Sequence, residues 1–388
     1  MQKGFFSIFL NEVQRLLTSP RLMFLAVILP CGLFLYYASL LQEGVPRKFP
    51  VVLLDQDKSN TSRGLGRMLN ATSSMDIVAE VENQQDGEKM IRTDKAFALI
   101  IIPANFENDI YRNIDTQVAC YYNNNYLLAG GLINKAFQST VGSFAAGAHI
   151  SGLTQKGLTQ KQALAATSPI NSKQHILFNP YTNYSYYLTI ALMPMALQII
   201  VMVVSIYVLG SVLKDRKGRE LYVKSRGNVW VSFWAKTLPY TLLFSLIGFF
   251  MNSLLYYKIG IPLRGNFLIV NIYFILFVIV CQLFGLFYVS FNKDLRSALT
   301  LGGSYSAIAF SFTGYTFPKE GLPDVIQYLS YTFPFTSYLR FIIDYAVRGI
   351  AIGSLNFGYI IAFMIFCLIG FASMPGYNRL LKKGGYYV

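Results

Sequence analysis

Six long apolar runs of this chain contain no aspartate or glutamate: Leu22–Leu41, Leu188–Leu213, Ala235–Tyr257, Phe267–Phe291, Ala298–Thr316 and Phe357–Met374. Each covers about 18–26 residues, enough to cross a hydrocarbon core roughly 30 Å thick. The missing acids remove the usual equipment of a proton- or sodium-driven carrier, which keeps a carboxylate inside the bilayer to bind its coupling ion. Charge is scarce everywhere. Charged residues make up 13% of the chain, against about 25% in a typical soluble domain. With 54% hydrophobic residues among 388, the expected fold class is a polytopic α-helical membrane protein with six transmembrane helices.

Other absences narrow the chemistry. Of the four cysteines, Cys31, Cys281 and Cys367 lie in apolar runs and Cys120 alone lies in hydrophilic sequence, so that region cannot form an internal disulfide. No Cys/His spacing resembles a zinc site. His149 and His175 are the only histidines and have no metal or nucleophile partner in sequence. Asp55-x-Asp57-x-Ser59 begins like a calcium loop, but Asn60 stands where that loop needs glycine and Gly66 where it needs glutamate. No paired carboxylates or nucleophile–base set sits at a span end, so no catalytic or metal-binding residue is assigned. No GxxxxGK[ST] phosphate loop is present, and no cofactor is expected on this chain.

What is present is ordered along the chain. Residues 4–18 place Phe5, Phe6, Phe9, Val13, Leu16 and Leu17 on one helical face and Asn11, Gln14 and Arg15 largely on the other. That pattern predicts a cytoplasmic interfacial elbow over 1–20, ended by Ser19-Pro20, with the first span over 21–41. Residues 42–185 read as an extracytoplasmic α/β domain. Expected strands there are Phe49–Leu54, Ile77–Val81, Phe97–Ile102 and Gln117–Tyr122, with helices near Ser62–Leu69 and Gln85–Ile91, a short one after Asn105, and a helical return from Tyr126 to about Leu164. Residues 186–388 hold the other five spans.

Basic residues set the topology. On the side of the N-terminus lie Lys3, Arg15, Arg21, Lys214, Arg216, Lys217, Arg219, Lys224, Arg226, Lys293, Arg296, Arg379, Lys382 and Lys383; the opposite short loops hold Lys258, Arg264, Lys319, Arg340 and Arg348. The positive-inside rule then makes both termini cytoplasmic in the cytoplasmic (inner) membrane. The net charge of +14 is spread beside spans, so the partner is the lipid bilayer and not nucleic acid. Val325–Val347 resembles a seventh span but carries Arg340 and Asp344, with Arg348 next to it. Three charges at mid-bilayer cost roughly 8–10 kcal/mol, and each pair spaced by four recovers only about 0.5 kcal/mol. The segment is therefore expected as two short helices broken near Pro334, an external re-entrant hairpin over 319–353.

Two further regions are candidate sites. The inside loop 214–228 contains Asp215, Arg216, Lys217, Gly218, Arg219, Glu220 and Leu221, a short charged helix suited to take load from a soluble partner; the plainer reading is a positive-inside loop. The fifth run is rich in small residues, Gly302, Gly303, Ser304, Ser306, Ser311 and Gly314, which permit close helix packing or line a path.

Several segments together resemble the permease subunits of type-2 ATP-binding-cassette exporters, in the branch with a large external loop after the first span. Asn11-Glu12-Val13-Gln14-Arg15-Leu16-Leu17 with Pro20 and Pro30 is similar to the family's elbow and first span. Val51-Val52-Leu53-Leu54-Asp55-x-Asp57-x-Ser59 and Ala98-Leu99-Ile100-Ile101-Ile102-Pro103-x-x-Phe106 resemble strands and turns of its external domain. Leu177-Phe178-Asn179-Pro180 resembles the tract before its second span. Asp215-Arg216 to Glu220-Leu221, with Gly227 and Lys236, resembles its coupling loop, although the family's usual Glu-Arg and Gly-Thr become Asp215-Arg216 and Gly218-Arg219. Phe317-Pro318, Leu322-Pro323, Phe333-Pro334-Phe335-Thr336 and Arg340 to Gly349 resemble its external hairpin. The resemblance implies a path between the second and fifth spans, a second permease subunit in a homodimer or related heterodimer, and a cytoplasmic ABC ATPase that holds ATP and magnesium. The rival expectation is a non-transporting membrane scaffold of a secretion or cell-envelope complex that displays its external domain.

Overall fold

The computed structural model describes residues 4–112, 114–168, 175–318 and 321–386. Lys3 and Lys319 of the topology count, and the first two residues of the expected hairpin, lie outside them. The chain divides into two compact units, Met1–Gly44 with Ile176–Val388, and Val45–His175.

In the Val45–His175 unit, strands β1 (Phe49–Asp55), β2 (Met75–Glu80), β3 (Ala98–Ile102) and β4 (Ala119–Tyr122) form one sheet in the order β2-β1-β3-β4. β1 is parallel to β2 and β3, while β4 runs antiparallel to β3. The central strands are continuous apolar runs because both faces are covered. Val51, Leu53, Ala98 and Ile100 pack against Leu65 and Leu69 of a helix over Asn60–Asn70 and Ile133 of a helix over Leu127–Gln155; Val52, Leu54 and Leu99 face Met90 and Ile91. The Asp55 turn is a strand-to-helix cap. One Asp55 oxygen accepts from the N–H groups of Asp57 and Lys58, the other from the Ser62 hydroxyl, and Ser59 accepts from Ser62 N–H.

Cys120 sits on edge strand β4, and burial pushes its thiol up to about 12. A raised thiol value favours the neutral form, so at pH 8 only about one molecule in ten thousand carries the reactive thiolate. With Cys31, Cys281 and Cys367 replaced by alanine, maleimide labelling of Cys120 at pH 8 is expected to accelerate about a thousandfold on unfolding. In the folded protein the rate should still be climbing at pH 10. Free-thiol reactivity in the native state would contradict the packing of β4.

The other unit is helical. Helix α1 (Phe5–Thr18) leads into five helices that, among the described residues, are long and apolar enough to cross a membrane: Pro20–Leu40 (α2), Tyr184–Lys214 (α3), Val229–Ile259 (α5), Phe267–Phe291 (α6) and Gly358–Lys383. The last divides at Ser373 into α10 (Gly358–Ala372) and α11 (Met374–Lys383). Between α3 and α5 lies α4 (Gly218–Lys224). A π-helical turn at Phe24–Ile28 precedes Pro30 in α2, a local widening that accommodates the lost N–H and the proline ring. Interhelical polar contacts join α5 and α6: Thr241 donates to Gln282, and Asn252 to Asn271. Such contacts hold helices together where water is absent.

The fifth expected run is shorter as a regular helix than the sequence suggests. Ala298–Thr316 corresponds to α7 (Leu295–Ile308), which tightens into a 3-10 turn at Ala309–Phe312. The Gly- and Ser-rich composition weakens helix continuation there. Val325–Val347 folds as α8 (Asp324–Ser330), a break, then α9 (Pro334–Phe341) and a π-helical turn at Ile342–Val347. Pro334 occupies the first turn of α9, where its missing N–H costs nothing.

Candidate functional site

At the end of the helical unit that carries α4, the elbow helix buries a mixed stripe that is neither the apolar nor the polar face of the sequence pattern: Asn11 and Gln14 are exposed and Arg15 is half-buried. Phe6, Leu10 and Leu17 are exposed, while Ile8, Glu12 and Leu16 are buried. The single acid of that stripe, buried between Ile8 and Leu16, needs a partner inside the protein. Glu12 accepts a 2.6 Å hydrogen bond from Lys236 Nζ of α5 and another from the Tyr240 hydroxyl at 3.1 Å. Arg15 lies 3.3 Å from the same carboxylate, donates to Ser211 of α3 at 3.0 Å and stacks over Tyr207. One buried ion pair thus ties α1, α3 and α5 together.

Sequence reasoning missed this pair. The apolar runs do lack acids, but the acid is supplied by the neighbouring elbow. Lys236, which the resemblance groups with the coupling loop, lies within α5 and is paired with Glu12. The signal available was a lone lysine inside an apolar run, which requires a counter-ion. Because the carboxylate is held by an ammonium, a guanidinium and a phenol, it is a structural latch and not a free site for a coupling cation.

The loop residues separate by exposure. Gly218 and Leu221 are buried, whereas Asp215, Arg216, Lys217, Arg219 and Glu220 are exposed. Gly218 is a close-approach position: its N–H donates to Gly384 O at 3.1 Å, and a Cβ there would meet that carbonyl group at 3.0 Å. α4 is thus held by the tail that follows α11, and Gly4 N–H donates to Lys224 O on its other flank. Lys382 lies over the Tyr222 ring. Glu220 pairs with Lys224 at 2.8 Å, and that ammonium holds the carboxyl below its usual range. Asp215 follows the C-terminus of α3, where the helix dipole disfavours a carboxylate by about 0.3–1 kcal/mol. Its position does not serve helix stability.

The small residues of α7 also separate. Gly302 and Ser306 face α3; a Cβ on Gly302 would meet Ile206 at 2.3 Å, and Ser306 donates to Gly302 O. Gly303 and Gly314 are half-buried, Gly314 with a left-handed backbone (φ 74°). Ser304 and Ser311 are exposed, in line with exposed Leu301 and Ile308. Close packing accounts for Gly302 and Ser306 but not for the exposed stripe.

At the opposite end, Asp344 pairs with Arg348 at 2.8 Å and accepts from the Tyr359 hydroxyl. Arg340 lies over the Tyr331 ring instead. The π-helical turn at Ile342–Val347 follows Phe341, the last residue of α9. Pro334 is buried.

No curated protein matches the chain closely enough to count as a relative. The family model described as ABC-2 family transporter protein matches residues 20–372, which spans α2, the whole sheet-bearing unit and the helices through α10. Members of that family are membrane components that work with an ATPase subunit and are generally not themselves catalytic. The long apolar helices, the inward-packed polar latch and the match over most of the sequence converge: this chain belongs to the ABC-2 transporter family, as a multi-pass membrane permease subunit of an ABC transporter.

Proposed function

We propose that the chain is the path-forming half of an ATP-driven exporter, in the branch with a large extracytoplasmic domain. The observation that carries this reading is the family match over residues 20–372, joined to a charged helix, α4, presented beyond the ends of α3 and α5. Asp215, Arg216, Lys217, Arg219 and Glu220 are its contacts with a cytoplasmic ABC ATPase, which binds ATP and magnesium; Gly218 and Leu221 hold the helix in place. A second permease, identical or related, meets the stripe containing Ser304 and Ser311.

Six spans fit this reading on length. The 14 residues of α7 and the 4 of its 3-10 continuation rise roughly 29 Å together, close to the hydrocarbon thickness. The charge count then puts both termini and α4 in the cytoplasm and the Val45–His175 unit outside. The α8–α9 hairpin, with Pro334, Arg340, Asp344 and Arg348, dips into the outer interface of the inner membrane.

Two measurements test the proposal together. Purified chain alone is expected to hydrolyse no ATP, and co-expression with its ATPase to give a complex with vanadate-sensitive turnover. Lys383→Cys is expected to react with an impermeant thiol reagent only after cells are permeabilised. Transport driven by a proton gradient without any ATPase would refute the exporter reading, and labelling of Lys383→Cys in intact cells would refute the six-span topology. A stable envelope complex without turnover would favour the scaffold alternative.

A further inference from the structure

The C-terminal end of α3, the turn after α6 and the first turns of α7 line an open cleft of about 790 Å³. Its inner wall is apolar, formed by Leu213, Leu295 and Leu299, and its rim carries Lys214, Arg216, Lys293 and Arg296. Among the other cations at this end, Arg15 is paired with Glu12, Lys224 with Glu220, and Lys382 lies over the Tyr222 ring. The four rim cations form no ion pair among the described residues.

The one carboxylate lining the cleft, Asp294, offsets one of these charges and leaves three in excess. Asp294 caps α7, accepting from Ser297 N–H and from the Ser297 hydroxyl, each at 2.9 Å. Tyr386 reaches the cleft from the tail after α11, and its buried hydroxyl has no hydrogen-bond partner among the described residues. Four cations against one carboxylate around an apolar wall leave a net positive charge that a bound anion would offset. Their position beside the last residues of two spanning helices is the depth of lipid head groups, where basic pockets between helices hold anionic lipids.

We infer that this cleft binds the phosphate of an anionic phospholipid, with the acyl chains against Leu295 and Leu299 and the phosphate among Lys214, Arg216, Lys293 and Arg296. Positive-inside charge needs only basic residues near span ends. It does not need them gathered from two separate loops around one cavity with an apolar wall.

The test uses the full-length chain in neutral detergent, titrated with phosphatidylglycerol, phosphatidylcholine or inorganic phosphate and followed by thermal shift and native mass spectrometry. Saturable binding of phosphatidylglycerol is expected, at least tenfold tighter than phosphatidylcholine and weakened by salt. The pairs Lys214→Gln/Arg216→Gln and Lys293→Gln/Arg296→Gln are each expected to weaken it tenfold or more, while Lys258→Gln, at the other end, leaves it unchanged. Equal affinity for the two lipids, or wild-type binding by both pairs, overturns the inference. An equal response to inorganic phosphate alone overturns the lipid assignment in favour of a free phosphate compound.

Discussion

Glu12→Ala is expected to destabilise the helical unit by about 3–5 kcal/mol, because it strands a buried ammonium. Lys236 and Glu12 are each 4% exposed and 2.6 Å apart. The substitution also removes the acceptor of the Tyr240 hydroxyl and the partner of Arg15. In detergent the expected readout is a fall of roughly 5–10 °C in melting temperature and a loss of monodisperse protein. Lys236→Met is expected to do comparable harm by stranding the carboxylate. The double change Glu12→Leu/Lys236→Met recovers most of the loss, since replacing both members of a buried pair by apolar groups is often close to neutral. Single variants as stable as the parent would show that the latch contributes nothing.

Glu220→Lys is expected to leave the permease folded and inserted while weakening its complex with the ATPase roughly thirtyfold or more. Two magnitudes separate fold from function. The Glu220–Lys224 pair is half-exposed, and such i,i+4 pairs contribute only about 0.3–0.5 kcal/mol to the fold. A charge desolvated at a protein interface loses about 2–5 kcal/mol when its partner is removed, and each 1.4 kcal/mol is tenfold in affinity. Asp215→Lys is expected to act in the same direction, since its place at a helix C-terminus has no stabilising role. Lys224→Gln is expected to do less, because it removes only the local partner of Glu220. Co-purification of the ATPase and coupled export measure the effect. Wild-type levels of both in Glu220→Lys would reduce α4 to a positive-inside tether and favour the scaffold alternative.

Much of the fold is legible because its determinants are local. Alternation, caps and turn residues predict β1 through β4 and the intervening helices to within a few residues, since Asp55, Ser59 and Pro103 act on their immediate neighbours. The break at Pro334 is equally local: a proline tolerated only in a first turn divides Val325–Val347 whatever surrounds it. The weaker case is the fifth run. Composition marks Ala298–Thr316 as apolar and small, but propensity does not say where hydrogen bonding tightens after Ile308.

Sequence by itself determined that the chain lives in a bilayer, where its long apolar helices lie, and that a separate α/β unit interrupts them. Apolar length and charge count depend on residue identity alone. Tertiary structure alone decided what the polar residues do. Glu12 and Lys236 are 224 positions apart, and only packing shows that they neutralise each other; Gly218 has its reason in the approach of Gly384. Gly302 and Ser304 look alike in sequence, yet one is packed against Ile206 and the other is exposed, because a helix turns them to different sides. A buried charge or an absent Cβ acquires meaning from its neighbours in space, and those neighbours are set by the fold.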